Sequence, residues 1–325
     1  ALSSSGINNI GSIAVTSSQA SNTVTEVNNI AGQTTGAVSA TITETTLAAL
    51  GNLTDTGNAY TITVSDGTVN AAALNVLNGK TTKAVTVNAT NIRGALSDIK
   101  AAYDANTNNE ISGLGNETIT VTDIGSISSS DLNELNALTT GVVTVSAAST
   151  VSGTLSDIVT SYSNSNISGV ITGLSDENIT ITDTGSIAAA DLNTVNSKTT
   201  GVVTVQSATA VTGTYTDVNL AYTAAGLTGL GTEAITITDG TSITVSQANS
   251  LDSLTSGVVT ATISTNNIDT LSSLTGTTNA YTITIADASV SADKLNALNA
   301  KSAASIAVTS TTITGTVADI KTAYT

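Results

Sequence analysis

Five aspartates close equivalent short strands along this 325-residue chain: Asp66, Asp123, Asp183, Asp239 and Asp287, at successive intervals of 57, 60, 56 and 48 residues. Carboxylates on such a ladder have two chemistries open to them. With help from turn carbonyls they could hold Ca²⁺, a hard cation that takes oxygen ligands. Alternatively, each closes its turn by accepting hydrogen bonds from backbone N–H groups. A second series, Asp98, Asp157, Asp217 and Asp319, falls in predicted helices, where a carboxylate favours the first turn. Tyr103, Tyr162, Tyr222 and Tyr324 follow each of these five residues later. They are expected to seal helix ends against the core; a binding stack of tyrosines is the sharper alternative. Threonine pairs recur at Thr61/Thr63, Thr120/Thr122, Thr180/Thr182, Thr236/Thr238 and Thr282/Thr284. Thr is a default residue for a solvated strand face, and such rows offer lateral contacts, glycan attachment or an ordered water layer that could bind ice.

The inventory argues against catalysis. There is no His and no Cys, which removes the common general base and the thiolate nucleophile. The acids recur in every unit instead of gathering in one singular cluster, and a repeated residue does a repeated structural job. The chain is therefore read as non-enzymatic, with no resident cofactor and calcium as the one candidate ion. Twenty-four acidic against eight basic residues give a net charge of −16. No basic patch suits nucleic acid or an anionic membrane surface, and no apolar run has the length of a membrane span.

The elements that must position these residues are repeats. Ile119-Thr120-Val121-Thr122-Asp123 through Thr139-Thr140-Gly141 returns as Ile179-Thr180-Ile181-Thr182-Asp183 through Thr199-Thr200-Gly201. Apolar and polar residues alternate along each strand, the period of a half-buried β-strand. A helix follows from Ser128, with Asp131 in the place of a capping-box acid and Leu132, Leu135 and Leu138 as one apolar stripe. Thr139-Thr140-Gly141 ends it, with a positive φ expected at Gly141. Alternate repeats carry Gly-x-[Leu/Val/Tyr]-x-Asp-[Ile/Val]-x-x-x-Tyr, as at Gly153 to Tyr162 and Gly213 to Tyr222. Insertions such as Ile111 to Gly115 and Leu227 to Gly231 lengthen some intervals and are expected as loops on one edge.

Strand starts near residues 13, 38, 60, 84, 118, 142, 179, 202, 235, 258, 281 and 305 make about twelve rungs. They pair into units of about 57 residues, near 1–57, 58–115, 116–175, 176–231, 232–278 and 279–325. The fold class expected is an α/β solenoid, a single continuous array in which parallel strands and short helices stack because one rung alone buries too little to fold. The composition agrees: seven Tyr are the only aromatics, so a thin core of small layered side chains replaces a thick aromatic one. Neither terminal rung carries a polar cap. That predicts end-to-end assembly with itself into a filament, or residence in a longer repeat protein. The start Ala1-Leu2-Ser3-Ser4-Ser5, without Met, fits signal-peptide cleavage or an excised fragment equally.

Asp131-Leu132-Asn133-x-Leu135-Asn136 with Thr139-Thr140-Gly141-Val142-Val143-Thr144-Val145, and Gly315 to Tyr324, resemble repeats of very large secreted surface proteins of marine cyanobacteria. The similarity runs from about residue 38 onward. The resemblance implies a secreted, cell-surface or extracellular-matrix role without catalysis, with glycans or cell-surface components as further partners. Relatives of that kind often adjoin calcium-binding repeats, whose Gly-Gly-x-Gly-x-Asp nonapeptide is absent from this sequence.

Overall fold

The computed structural model describes residues 10–164, 170–238, 240 and 242–325. Among them, strands alternate with twelve short helices, and the registered strand pairs run parallel. A helix between paired strands is what parallel pairing needs, because the chain must return to its starting edge. The architecture is the α/β solenoid that the repeats predict.

Two compact units divide the chain. One runs to Val151 and includes Thr160–Leu174; the other comprises Ser152–Val159 and Ser175–Thr325. The first holds two five-stranded sheets. One orders Val15–Thr16, Val38–Thr41, Ala59–Val64, Val85–Val87 and Ile111–Ser112; the other orders Thr68–Asn70, Asn91–Gly94, Thr118–Val121, Val143–Val145 and Ile171–Thr172. In the second unit, a six-stranded sheet orders Ser186–Ala188, Ala210–Gly213, Ala234–Ile237, Val259–Thr262, Ala280–Ile285 and Ile306–Val308. Asn178–Ile181, Val203–Val205 and Leu227–Thr228 form a further parallel run there, and Ser289–Ser291 pairs with Thr312–Thr314.

The alternation in sequence sets which side of each strand is dry. Ile119 and Val121 are buried, as are Ile179, Ile181, Val203 and Val205, while the threonines between them stay at least partly exposed. Registered hydroxyls then bond along the ladder: Thr144 to Thr172 at 3.0 Å and Thr204 to Thr228 at 3.1 Å. Asp239 of the aspartate series lies outside the described residues.

The expected edge loops are rung strands instead. Ile111–Ser112 pairs with Val85–Val87, and Leu227–Thr228 pairs with Val203–Val205. The segment after each of them then stacks one strand over: Thr118–Val121 lies on Asn91–Gly94, not on Val85–Val87, and Ala234–Ile237 lies on Ala210–Gly213. Spacing explains why. Val85 to Ile111 spans 26 residues and Ile119 to Val143 spans 24, so the added segment keeps the rung period while the chain steps sideways by one strand.

Two further expectations need correcting. Leu138 is 37 % exposed; the buried stripe is Ser129, Leu132 and Leu135, repeated as Ala71, Leu74 and Leu77 and as Ala292, Leu295 and Leu298. A small residue leads each stripe, and threefold spacing from it exhausts the buried arc before Leu138. Gly141 is absent from the residues with positive φ. Its constraint is close approach: a Cβ there would stand 2.0 Å from the Glu117 carbonyl oxygen.

Candidate functional site

Within each unit, internal rungs bury one side against the rung that follows, and polar groups of the described residues gather at that junction. The aspartates reach across it. An Oδ2 of Asp66 accepts from the Leu47 amide at 2.7 Å, Asp123 from Leu96 at 2.8 Å, Asp183 from Leu155 at 2.7 Å and Asp287 from Ile268 at 2.8 Å. Each of these amides opens a helix of the preceding rung, where N–H groups lack an intrahelical acceptor and a carboxylate meets the positive end of the helix dipole. Glu44 serves Val24 in the same way. The aspartates thus act as helix caps in trans, one rung back. Among the described residues no three Asp or Glu side chains gather where a metal ion could be held.

Inside the helices, Asp157, Asp217 and Asp319 complete local caps. Each accepts from the hydroxyl of the N-cap threonine, Thr154, Thr214 or Thr316, whose oxygen takes the aspartate's own amide. Asp98 follows Ala95, which has no capping side chain; its carbonyl instead accepts from Asn75 Nδ2 at 2.8 Å. The asparagines that follow the stripe leucine play the same part on other rungs, Asn193 to the Asp217 carbonyl and Asn296 to that of Asp319. Ser128 caps the Asp131 amide as the sequence suggests, but the Asp131 carboxylate turns outward to Lys100 at 2.9 Å. Lys100 also pairs with Glu134, so this lysine ties one helix to the next.

Tyr103 and Tyr162 are buried as sealing residues, and the seal has a glutamate partner that the sequence did not disclose. Tyr103 donates its hydroxyl to Glu117 Oε2 at 3.0 Å. The same oxygen accepts from the amides of Gly115 at 2.8 Å and Asn116 at 3.2 Å. Glu117 is 2 % exposed, and its Oε1 has no hydrogen-bond partner. Tyr222 and Glu233 repeat the pair at 3.4 Å, with the amides of Gly231 and Thr232 on the carboxylate. Glu177, also buried, accepts from the Ser175 amide. Burial, reinforced by the neighbouring carboxylate, raises the Tyr103 and Tyr222 hydroxyls well above their ordinary titration range. Thr139 then locks the following rung down by donating to the Glu117 carbonyl at 3.0 Å, as Thr199 does to Glu177 and Thr255 to Glu233.

Comparison with protein-family models, curated proteins and solved structures finds no match to this chain.

Units without the extra strand close the junction differently. Tyr60 and Tyr281 occupy the glutamate's place, as the bonds of Thr81 and Ser302 to their carbonyls identify, and Asn58 and Asn279, two residues earlier, each accept through Oδ1 a strand amide of the preceding rung, Val38 or Val259, at 2.8 Å. The buried tyrosine then comes from the strand itself, as Tyr60 or Tyr281. Glu117, Glu177 and Glu233 were missed in the sequence. For Glu117 and Glu233 the signal was a lone acid two residues after Gly115 or Gly231, directly before an alternating strand; Glu177 stands two residues after Ser175 and directly follows Asp176. Tyr324, by contrast, is exposed, so the structure does not place it with the sealing tyrosines. No helix among the described residues is long and apolar enough to cross a membrane.

Proposed function

We propose that this chain is a non-catalytic structural protein of an extracellular assembly that extends by stacking rung on rung. One observation carries the reading. The rung of Ile306–Val308, Thr312–Thr314 and Val317–Ala323 presents to solvent the residues that equivalent rungs bury. Val317 is 85 % exposed where Leu96 is 5 %, and Tyr324 is 75 % exposed where Tyr103 is 1 %. Apolar residues at stacking positions favour a further rung as their cover, because covering them removes apolar surface from water. The extracellular setting rests on the resemblance to secreted surface repeats. The lack of His and Cys supports a structural role over a catalytic one.

End-to-end stacking of copies into a filament or surface layer is the first form of this reading. Residence as a spacer within a longer array of the same repeats, such as a giant adhesin, is the second. Chemistry at the first rung favours the second form: Ile13 stands there where Glu117 stands in the sealed rungs, as the matching bonds of Thr34 to the Ile13 carbonyl and Thr35 to the Gly11 carbonyl identify. Electron microscopy of the purified chain separates the two. Long ordered fibres support homotypic stacking; short rods of fixed length support the spacer. A protein that stays monomeric and binds no further rung would refute both.

A further inference from the structure

We infer that the open face at Ile306–Tyr324 takes an acid-bearing rung of the kind seen at Ile111–Leu138, carried by another segment of this repeat class and distinct from the chain's own first rung. The inference rests on the stacking reading and names its partner. Gly315 to Tyr324 is the twin of Gly94 to Tyr103, residue for residue at Gly, Asp, Ile, Lys and Tyr. In the twin, the following rung answers three features. Its strand Thr118–Val121 pairs with Asn91–Gly94. Its Glu117 takes the Tyr103 hydroxyl. Its helix residues Asp131 and Glu134 pair with Lys100.

All three features are present and unanswered at the open face. Thr312–Thr314 is paired on one side only, Tyr324 is exposed, and Lys321 has no ion pair among the described residues. The first rung of the chain meets them poorly. It offers Ile13 in place of Glu117 and Asn29 in place of Glu134. Its one matching acid, Glu26, is already engaged with Thr23 in a capping box. The surface is therefore a continuation of the internal rung-to-rung junction, with charge complementary to a Gly-x-Glu rung whose helix is acidic.

The test uses the full chain and synthetic peptides of residues 111–141, of 111–141 with Glu117→Ile, and of 10–36. We expect the first to bind about tenfold or more tighter than the other two, the size of one hydrogen bond to a buried charged acceptor. Tyr324→Phe in the chain should erase most of that difference, and Lys321→Ala should lower affinity and its salt dependence together. A second measurement does not depend on a free peptide folding. Residues 224–257 are duplicated after Thr325, with and without Glu233→Ile in the copy, and quenching of Tyr324 fluorescence by acrylamide is read against a Tyr324→Phe control. Protection with the acidic copy alone supports the inference. Equal binding of all three peptides, or equal protection by both fusions, overturns the acid-specific partner and leaves stacking intact. Failure of every peptide together with an unprotected Tyr324 in both fusions overturns both.

Discussion

Glu117→Ala is the most informative substitution, because three donors converge on one buried oxygen. The alanine leaves the Tyr103 hydroxyl buried without an acceptor, at a cost of about 1–3 kcal/mol. The Gly115 and Asn116 amides lie nearer the surface, where water can replace part of what they lose. Counting one full penalty and two partial ones gives about 3–5 kcal/mol. Glu117→Gln should behave differently. It keeps an acceptor for all three donors and removes a buried charge whose Oε1 has no partner, a charge whose desolvation costs several kcal/mol. Its stability should stay within about 1 kcal/mol of the parent, or exceed it. The assay is native-state hydrogen exchange of Thr118–Val121 and Asn91–Gly94, which reports local opening in an array whose rungs unfold semi-independently, alongside urea unfolding by circular dichroism. Alanine within about 1 kcal/mol of the parent, or glutamine as damaging as alanine, would refute the seal as described.

Four other outcomes follow from the same geometry. Gly141→Ala should cost about 3 kcal/mol or more, since its Cβ would meet backbone at 2.0 Å, whereas Gly125→Ala, with nothing within 4 Å, should be near neutral; thermal melts of the two variants compare them directly. Asp123→Ala should cost about 1 kcal/mol through loss of the Leu96 cap, and exchange at the Leu96 amide should rise before that of the Thr118–Val121 strand. Raised tyrosine hydroxyls keep Tyr103, Tyr222 and Tyr281 protonated in the fold after the unfolded chain has begun to ionise. Their contribution is complete below about pH 10 and is lost above it, so in a chain carrying Tyr215→Phe and Tyr324→Phe, which removes the half-buried and the exposed tyrosine, absorbance at the phenolate band should rise together with unfolding and not ahead of it. Millimolar Ca²⁺ should leave the melting temperature unchanged if capping is the whole task of Asp66, Asp123, Asp183 and Asp287; a clear rise would return the ladder to metal binding.

Strand identity and rung count were legible because they rest on period: Ile119, Val121, Val143 and Val145 announce their buried side by alternation alone. The helix stripe was legible at Leu132 and Leu135 for the same reason, and misread at Leu138 because Ser129 does not look like a core residue. What lay between rungs was not legible. Asp123 sits beside its own turn in sequence, and nothing local reveals that its carboxylate reaches Leu96, 27 residues earlier. Glu117 was passed over because a single acid before a strand ordinarily faces water. Ile111 and Ser112 were read as loop because two residues are too few to show a period; only their pairing with Val85 and Thr86 makes them strand.

That pairing has a consequence for how such an array can lengthen. Neighbouring strands rotate relative to one another by about 20–25°, so a parallel stack of five accumulates on the order of 90° of twist. A stack that grew without limit would carry its last rung far out of line with its first, and strongly twisted sheets seldom run beyond about ten strands. At Ile111, and again at Leu227, the chain ends one sheet and continues on a second that already runs beside it. Repeats can then be added without any single sheet having to bear the rotation of all of them.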